Sequence, residues 1–310
     1  MTQQLQFKID YSIAMLRRYE KLAKLYDPED GFYLAFSGGK DSQCLYHIAQ
    51  MAGVQFKAHM AMTSVDPPAV IRFIKRNYPD VELIAPKESI YTAAIRKKIL
   101  PTQVMRWCCD IFKEGHGAGK VKLIGIRHEE STRRAKRNEL EVTGRKFSGN
   151  QYEFEEWQKE QIANQFDTFD IDQEDIVKCV HGKDSIILSP IIHWTKRDVW
   201  EFLNEVAKVP HCELYDTGHE RIGCIFCPMA TKRSLIRDCK EYPHQRHRWI
   251  ETIKEMRRLG YLYNIDQLID TSGYSEDEMA EYVFDWWISK QNSREYVGDN
   301  FLQKKIEFND

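Results

Sequence analysis

The chain has 310 residues, of which 42% are hydrophobic and 30% are charged, with 45 Lys and Arg residues against 47 Asp and Glu. This size allows one large domain, or a core domain with an appendage, around a sizeable core. A formal net charge of −2 excludes nucleic-acid binding by bulk charge alone. The first residues lack a secretory-signal pattern and the apolar runs are too short to cross a bilayer, so we expect a cytoplasmic protein without a membrane partner. In that reducing compartment, eight cysteines indicate metal or redox chemistry rather than disulfides.

The hydrophobic pattern predicts strands that alternate with helices. An amphipathic helix over residues 8–26 is followed by the apolar run Phe32–Phe36, a glycine loop and a second helix. Further strands are predicted at 54–60, 81–85, 121–126 and 186–188, and further helices at 69–77 and 195–205. This alternation predicts an α/β fold with a doubly wound, mostly parallel sheet, in which ligands bind beyond the carboxyl ends of the strands.

Two regions depart from this alternation. Residues 138–183 are polar and carry only a weak helical pattern, which indicates a lid or surface insertion between two core strands. After residue 230 the chain is poor in strands and its apolar residues predict helices. We therefore predict a core domain over residues 1–230 with the insertion 138–183, and a helical C-terminal region over residues 231–310.

The segment Ser37-Gly38-Gly39-Lys40-Asp41-Ser42 lies between a predicted strand and a predicted helix. Glycines let backbone N–H groups approach a phosphate, the helix N-terminus adds a positive dipole, and Lys40 adds a full charge. Ser37 and Ser42 can each donate a hydroxyl hydrogen bond to the same anion. The spacing matches neither the Walker A loop nor the dinucleotide-binding pattern. The alternative is an ordinary glycine-rich turn with a surface Lys-Asp pair.

Asp66 follows the second predicted strand and precedes two prolines. At the carboxyl end of a strand its carboxylate could contact a ribose, a base or magnesium. Capping the next helix is the alternative role for this side chain.

Four of the cysteines form two close pairs, Cys108-Cys109 and the C-x-x-C motif of Cys224 and Cys227. Two pairs of thiolates suit either zinc or an iron–sulfur cluster. Adjacent cysteines can hardly both bind one small ion without backbone strain, whereas a cluster offers each a separate iron, so the cluster is favoured. Four buried free cysteines are the structural alternative.

The glycine loop resembles the pyrophosphate loop of the ATP pyrophosphatases, and the cysteine pairs resemble the cluster-bearing sulfonucleotide (PAPS/APS) reductase family. The segments Gly125–Arg134, Ser189–Trp200 and Leu214–Gly218 resemble further motifs of that family, in the same order. The resemblance covers about residues 30–230 and implies a Rossmann-like fold of the adenine nucleotide alpha hydrolase type.

The resemblance also implies the site residues and cofactors. Ser37 to Ser42 would bind the pyrophosphate of ATP with Mg²⁺, assisted by Asp66, and Lys40, Asp41 and Arg127 would be catalytic. The four cysteines Cys108, Cys109, Cys224 and Cys227 would bind a [4Fe–4S] cluster.

Two departures from the reductases change the expected function. The ATP form of the loop is complete, and no cysteine follows Cys239, where the reductases carry a late catalytic thiol. These features resemble the DNA phosphorothioation branch and, more loosely, the cluster-dependent tRNA thiolases. The resemblance implies that ATP adenylates a nucleic-acid acceptor, DNA rather than tRNA, and that a cysteine desulfurase or another donor supplies sulfur.

Two other functions stay open at this point. One is a PAPS or APS reductase that uses an external thiol, and the other is a non-catalytic regulator that binds ATP and a cluster. A basic stretch between Arg127 and Arg137 could contact phosphates or form a solvated face. A second basic region follows the C-x-x-C motif and contains Lys232, Arg233, Arg237, Lys240, Arg246 and Arg248.

Overall fold

The computed structural model describes residues 1–144, 180–181, 185–262, 272–291, 294 and 296. The strands are β1 Phe32–Ala35, β2 Phe56–Ala61, β3 Glu82–Ile84, β4 Val121–Leu123, β5 Leu140–Gly144, β6 Val180–His181 and β7 Ser185–Leu188. The helices are α1 Gln3–Tyr26, α2 Lys40–Ala52, α3 Pro68–Asn77, α4 Ile90–Lys97, α5 Trp107–Cys109, α6 Lys196–Glu201, α7 Lys232–Glu241, α8 Pro243–Arg258 and α9 Glu276–Ser289. Helices α5 and α6 continue as the π-helices Asp110–Glu114 and Phe202–Ala207.

The chain divides into two compact units. Unit 1 comprises residues 1–61, 68–84 and 114–222, and unit 2 comprises residues 62–67, 85–113 and 223–310. The sequence predicted a single boundary at residue 230, whereas the units alternate along the chain. The alternation arises because α4 and the segment around Val65 share a buried core with α8 and α9. A helical C-terminal region is present, but its core also includes these earlier segments.

Unit 1 contains a seven-stranded sheet with the order β3-β2-β1-β4-β7-β5-β6. Every neighbouring pair is parallel except β5 and β7, which are antiparallel. The predicted doubly wound, mostly parallel sheet is therefore confirmed. Strands β5 and β6 lie within the predicted insertion 138–183, where no strand was predicted because the segment is polar. The rest of that insertion lies outside the described residues.

The strand order reverses between β1 and β4, which pair in parallel with Tyr33 opposite Lys122 and Leu34 opposite Leu123. In open α/β sheets such a reversal leaves a crevice beyond the carboxyl ends of the two strands. The glycine loop follows β1, and Gly125 lies two residues after the end of β4. The sheet topology thus brings these two segments to the same crevice.

The core of unit 2 is aromatic and helical. Trp249, Phe226 and Phe284 are almost completely buried, and the rings of Phe226 and Phe284 meet edge to face at 5.3 Å. The indole of Trp287 in α9 donates a hydrogen bond of 2.7 Å to the carbonyl of Pro101. This contact attaches α9 to the segment between α4 and α5.

None of the helices in the described ranges combines the length and the apolar character that crossing a membrane requires.

Candidate functional site

The glycine loop makes a tight turn between β1 and α2. Gly38 has a φ of +70°, and a Cβ atom there would lie 2.9 Å from Val70 Cγ1 and 3.0 Å from Ile74 Cδ1. The position therefore requires glycine both for its backbone conformation and for its close approach to α3. Gln43 stabilises the turn because its amide Nε2 donates a hydrogen bond of 3.2 Å to the Gly38 carbonyl.

The two serines of the loop lie side by side. The Ser37 N–H donates to Ser42 Oγ at 3.2 Å, and the two hydroxyl oxygens are also 3.2 Å apart. The Ser42 hydroxyl donates to the Gly39 carbonyl at 2.9 Å. The fold thus places both predicted hydroxyls at the start of α2, where they line a pocket.

A buried charge network joins three predicted catalytic residues. The Lys40 ammonium lies 3.1 Å from Asp41 Oδ2, and the Arg127 Nε donates to Asp41 Oδ1 at 2.6 Å. The side chains of Lys40 and Arg127 are each only 4% exposed. Burial opposes the charged form of Arg127, yet the ion pair with Asp41 raises the pKa of the guanidinium above its ordinary value. Asp41 is thus shared between two buried cations.

Two glutamates hold Arg127 in place. Glu129 Oε2 accepts a 2.8 Å bond from Arg127 Nη1 and also accepts from the backbone N–H of Lys196 at the start of α6. Glu130 Oε2 accepts a 2.9 Å bond from the backbone N–H of Arg127, and Glu130 also pairs with Arg134. These contacts fix the guanidinium against Asp41, and they were not predicted from the sequence.

Close packing after β4 brings the backbone of Gly125 to the loop. A Cβ atom at Gly125 would lie 2.8 Å from the Asp41 carbonyl oxygen. A side chain here would displace the first turn of α2, so only glycine fits at this position of the Gly-Ile-Arg segment.

These residues surround a pocket of about 140 Å³ in unit 1. Its lining includes both loop serines, Lys40 and Asp41, and further polar side chains from distant parts of the chain, namely Glu130, Arg134, Tyr215 and Arg221. Tyr215 and Arg221 had no predicted role. The only sequence signal for Tyr215 was its place in the segment Leu214–Gly218, which resembles a family motif.

Asp66 lies in unit 2 and accepts hydrogen bonds from Thr63, at 2.6 Å from the N–H and 3.0 Å from the hydroxyl. Thr63 Oγ1 is also 3.4 Å from the sulfur of Cys224. The structure therefore places Asp66 next to the cysteines. Its predicted role in binding the cofactor remains a prediction.

All four predicted ligand cysteines belong to unit 2, and all four are half-buried. The hydrogen bond with Cys109 is the largest of the effects that raise the pKa of the Cys108 thiol. Burial and the charges of Cys109, Cys227 and Cys224 raise it further. The pKa of Cys109 is lowered, first by the hydrogen bond with Cys108 and then by Arg106, whose Nη2 lies 3.3 Å from its sulfur. The charges of Cys224 and Cys227 thus act on Cys108, and the guanidinium of Arg106 lies beside Cys109.

Two hydrogen bonds from its own backbone hold the C-x-x-C loop in place. Its Phe226 has a φ of +55° and donates its N–H to Asp238 of α7 at 2.9 Å. The Ile225 N–H donates to the Val65 carbonyl at 2.8 Å. A buried phenylalanine in the left-handed region is uncommon, so packing and both hydrogen bonds together hold Cys224 and Cys227 in position.

The donor set suits a soft metal site, since four thiols with nearby N–H donors favour thiolate ligation. In the part of the chain that the structure describes, however, no group of three or more His, Cys, Asp or Glu side chains is arranged so that it could hold a metal ion. The assignment of a cluster to these cysteines therefore belongs to the proposed function.

Residues 31–230 match the family described as the phosphoadenosine phosphosulfate reductase domain. An uncharacterized protein of Methanocaldococcus jannaschii is 26% identical over 286 residues, covering 89% of this chain and 56% of that protein. An adenosine 5'-phosphosulfate reductase of Lysinibacillus sphaericus is 26% identical over 165 residues, covering 51% of this chain and 54% of that protein.

The chain thus spans about half the length of these two relatives. Among solved structures, a phosphoadenylyl-sulfate reductase from Candida auris aligns with a TM-score of 0.41 and 16% identity, over 72% of this chain and 96% of that one. The family match extends over more than half of the chain and includes the glycine loop, Arg127 and both cysteine pairs. This protein therefore belongs to the phosphoadenosine phosphosulfate reductase family.

Proposed function

We propose that this member of the family is an ATP pyrophosphatase that adenylates a nucleic-acid acceptor for sulfur transfer. The observation that carries the proposal is the complete Ser-Gly-Gly-Lys-Asp-Ser loop, which presents the buried Lys40 to the pocket at the crevice between β1 and β4. A loop of this composition at a helix N-terminus suits a polyphosphate, and the β and γ phosphates distinguish ATP from a sulfonucleotide.

In the first half-reaction an oxygen of the acceptor attacks the α-phosphorus of ATP. The bond between that phosphorus and the oxygen that bridges it to the β-phosphorus breaks, and pyrophosphate leaves with the electron pair. Lys40 stabilises the charge that develops on pyrophosphate, and Arg127 holds Asp41 so that Lys40 keeps its orientation. Asp41 and Glu130 both line the pocket, and Mg²⁺ commonly needs only one or two carboxylates besides the phosphates.

In the second half-reaction sulfur from a donor, such as the persulfide of a cysteine desulfurase, is brought to the sulfide level by two electrons from an external thiol and attacks the acceptor atom that carries the adenylated oxygen. The bond between that atom and this oxygen breaks, and AMP leaves with the oxygen and the electron pair. Cys108, Cys109, Cys224 and Cys227 would hold the [4Fe–4S] cluster, which supplies sites for sulfur and electron chemistry when it is bound. Arg106 would stabilise the negative charge on the sulfur ligands through its contact with Cys109.

A nucleic-acid acceptor is supported by the charge of the segment that contains α7 and α8. Residues 232–258 contain nine Lys and Arg against four Asp and Glu, in a chain whose net charge is −2. On α8, Lys254 and Arg258 are neutralised by Asp277 and Glu276 of α9. We therefore propose the positive side chains of α7 as the surface that attracts a phosphate backbone.

We define the basic face of α7 as Lys232, Arg233 and Lys240. All three are exposed and make no ion pair with any residue in the described ranges. On the opposite face of the helix, Asp238 holds the C-x-x-C loop through the Phe226 N–H. Helix α7 therefore carries a basic outer face and supports the cysteines with its inner face, so an acceptor bound to it would lie near the proposed cluster.

The deciding experiment measures the conversion of ATP to AMP and pyrophosphate by the anaerobically purified protein, alone, with duplex DNA and with tRNA. We expect turnover that depends on nucleic acid, and the loss of this turnover in Lys40→Ala while the variant keeps its iron. The exposed Lys75→Ala on α3 is the matched control and should retain turnover.

A second candidate is sulfonucleotide reduction with an external thiol, which the similarity to the Lysinibacillus sphaericus reductase favours. It would release sulfite from PAPS or APS without consuming ATP. Sulfite release together with no ATP turnover under any condition would replace the first proposal by this one.

A further inference from the structure

The hydroxyl of Tyr215 lies at the N-terminus of α2. The first N–H groups of a helix have no partner within the helix, and the N-cap residue Gly39 has no side chain that could accept from them. Tyr215, in the turn Glu213–Tyr215, supplies the missing acceptor. Its hydroxyl oxygen accepts a hydrogen bond of 2.8 Å from the Lys40 N–H.

A phenolic hydroxyl both accepts and donates. Here the Lys40 N–H occupies an acceptor position, while no residue in the described ranges accepts the hydroxyl proton of Tyr215. Tyr215 also lines the loop pocket, together with both loop serines and Asp41. The Tyr215 O–H can therefore donate a hydrogen bond to a group that binds in the pocket.

The ring of Tyr215 is held by aromatic neighbours. Trp200 meets it edge to face at 5.0 Å and 87°, and His211 lies 6.1 Å away at 70°. The Lys40 ammonium lies 5.8 Å from the centre of the ring. Both Lys40 and Tyr215 line the loop pocket, and burial raises the pKa of Tyr215, so the hydroxyl keeps its proton.

We propose that Tyr215 relays the positive end of the α2 dipole to the bound polyphosphate. Its hydroxyl accepts from the Lys40 N–H and donates to an oxygen of the pyrophosphate group. Polarisation along such a chain strengthens both hydrogen bonds. Tyr215 then selects ligands that carry a pyrophosphate group over nucleotides that end at the α-phosphate. This inference rests on the proposed function, because it takes the loop pocket as the polyphosphate site.

Isothermal titration with inorganic pyrophosphate and with AMP tests the relay. We expect Tyr215→Phe, which keeps the ring and removes the hydroxyl, to weaken pyrophosphate binding by about tenfold, as the loss of a hydrogen bond to a charged group predicts. AMP affinity should change less than about twofold. Tyr11→Phe, which removes a surface hydroxyl bonded to Glu139, is the control. Tyr215→Phe should unfold at a lower temperature than this control, because the Lys40 N–H loses its acceptor, but it should still unfold in one cooperative transition.

Equal pyrophosphate affinity in the wild type and in Tyr215→Phe would show that the hydroxyl donates nothing to the ligand. Tighter binding by the variant would show that the hydroxyl occupies the position of the anion, which also overturns the relay. If the wild type binds no pyrophosphate, the proposed function fails and the inference fails with it. An effect of equal size on AMP would reject the selection for pyrophosphate.

Discussion

The guanidinium of Arg127 donates a hydrogen bond of 2.6 Å to the carboxylate of Asp41, a residue 86 positions earlier in the chain. This contact joins the segment after β4 to the first turn of α2. Because of it, two buried cations, Lys40 and Arg127, share the Asp41 carboxylate. The orientation of Lys40 therefore depends on a residue outside the glycine loop.

Replacing Arg127 by alanine should lower both stability and ATP turnover. Asp41 would lose one of its two cations, and breaking a buried ion pair costs about 3 kcal/mol of unfolding free energy. Urea denaturation measures this loss, and Arg133→Ala, which removes an exposed arginine, should stay within about 0.5 kcal/mol of the wild type. If Arg127→Ala kept full turnover, Arg127 would have no part in positioning Asp41.

Gly38 and Gly53 form a matched pair for the loop geometry. Both have a φ near +70°, but a Cβ atom at Gly53 meets nothing within 4 Å, whereas one at Gly38 meets Val70 and Ile74. We expect Gly53→Ala to lose about 1 kcal/mol of unfolding free energy from the backbone conformation alone. Gly38→Ala should lose at least about 1 kcal/mol more, because the added methyl group overpacks against α3.

Nucleotide affinity provides a second measurement on the same pair. Gly38→Ala should weaken ATP binding, whereas Gly53→Ala should not. Equal stabilities and equal affinities would mean that the close approach of Gly38 to α3 does not shape the loop.

The four cysteines should act as one set. Cys108→Ser or Cys227→Ser should remove the brown colour and the bound iron of the anaerobically purified protein, because each ligand holds a separate iron. Cys239, a half-buried cysteine of the same unit, provides the control, and Cys239→Ser should keep its iron. Iron analysis with visible spectroscopy decides the question, and full iron content in Cys227→Ser would remove that residue from the ligand set.

The basic face of α7 should govern nucleic-acid binding. The triple variant Lys232→Glu, Arg233→Glu, Lys240→Glu should bind duplex DNA at least about tenfold more weakly in fluorescence anisotropy. Its affinity should also depend less steeply on salt, since fewer counterions are released when fewer phosphates are contacted. Lys75→Glu with Arg76→Glu on α3 is the control for charge reversal. An unchanged salt dependence in the triple variant would place the acceptor elsewhere.

His59 should make the fold less stable in mild acid. Burial lowers the pKa of His59, which stacks on Tyr33 at 4.2 Å, below its ordinary value of 6.5. Below about pH 6.5 the unfolded chain therefore binds a proton that the folded chain does not, so the free energy of unfolding falls as the pH falls. The slope from this one proton is at most about 1.4 kcal/mol per pH unit.

The pKa of His47 is lowered in the same way, so His59→Phe should reduce the slope without abolishing it. Denaturation between about pH 5 and pH 7 measures this change. The exposed His244→Phe serves as the control for the substitution. An unaltered slope in His59→Phe would show that His59 is not the residue that titrates.

Local patterns along the chain were sufficient for the mostly parallel sheet and for the position of the glycine loop. A buried strand, a turn and an amphipathic helix are each encoded within about ten consecutive residues, so Phe32–Ala35, the loop and Lys40–Ala52 could be predicted without knowledge of the rest of the fold. No strand was predicted around β5 because the segment is polar, and its strand forms by antiparallel pairing with β7, a segment distant in the sequence.

Which residues meet in the site could be learned only from the tertiary structure. Tyr215 reaches the N–H of Lys40 from 175 residues away, and unit 2 assembles its cysteines from two segments separated by much of unit 1. The sequence by itself determined which residues could bind a phosphate or ligate a metal, since residue type sets that chemistry. Only the fold decided which of them meet, because contacts between distant segments depend on how the whole chain packs.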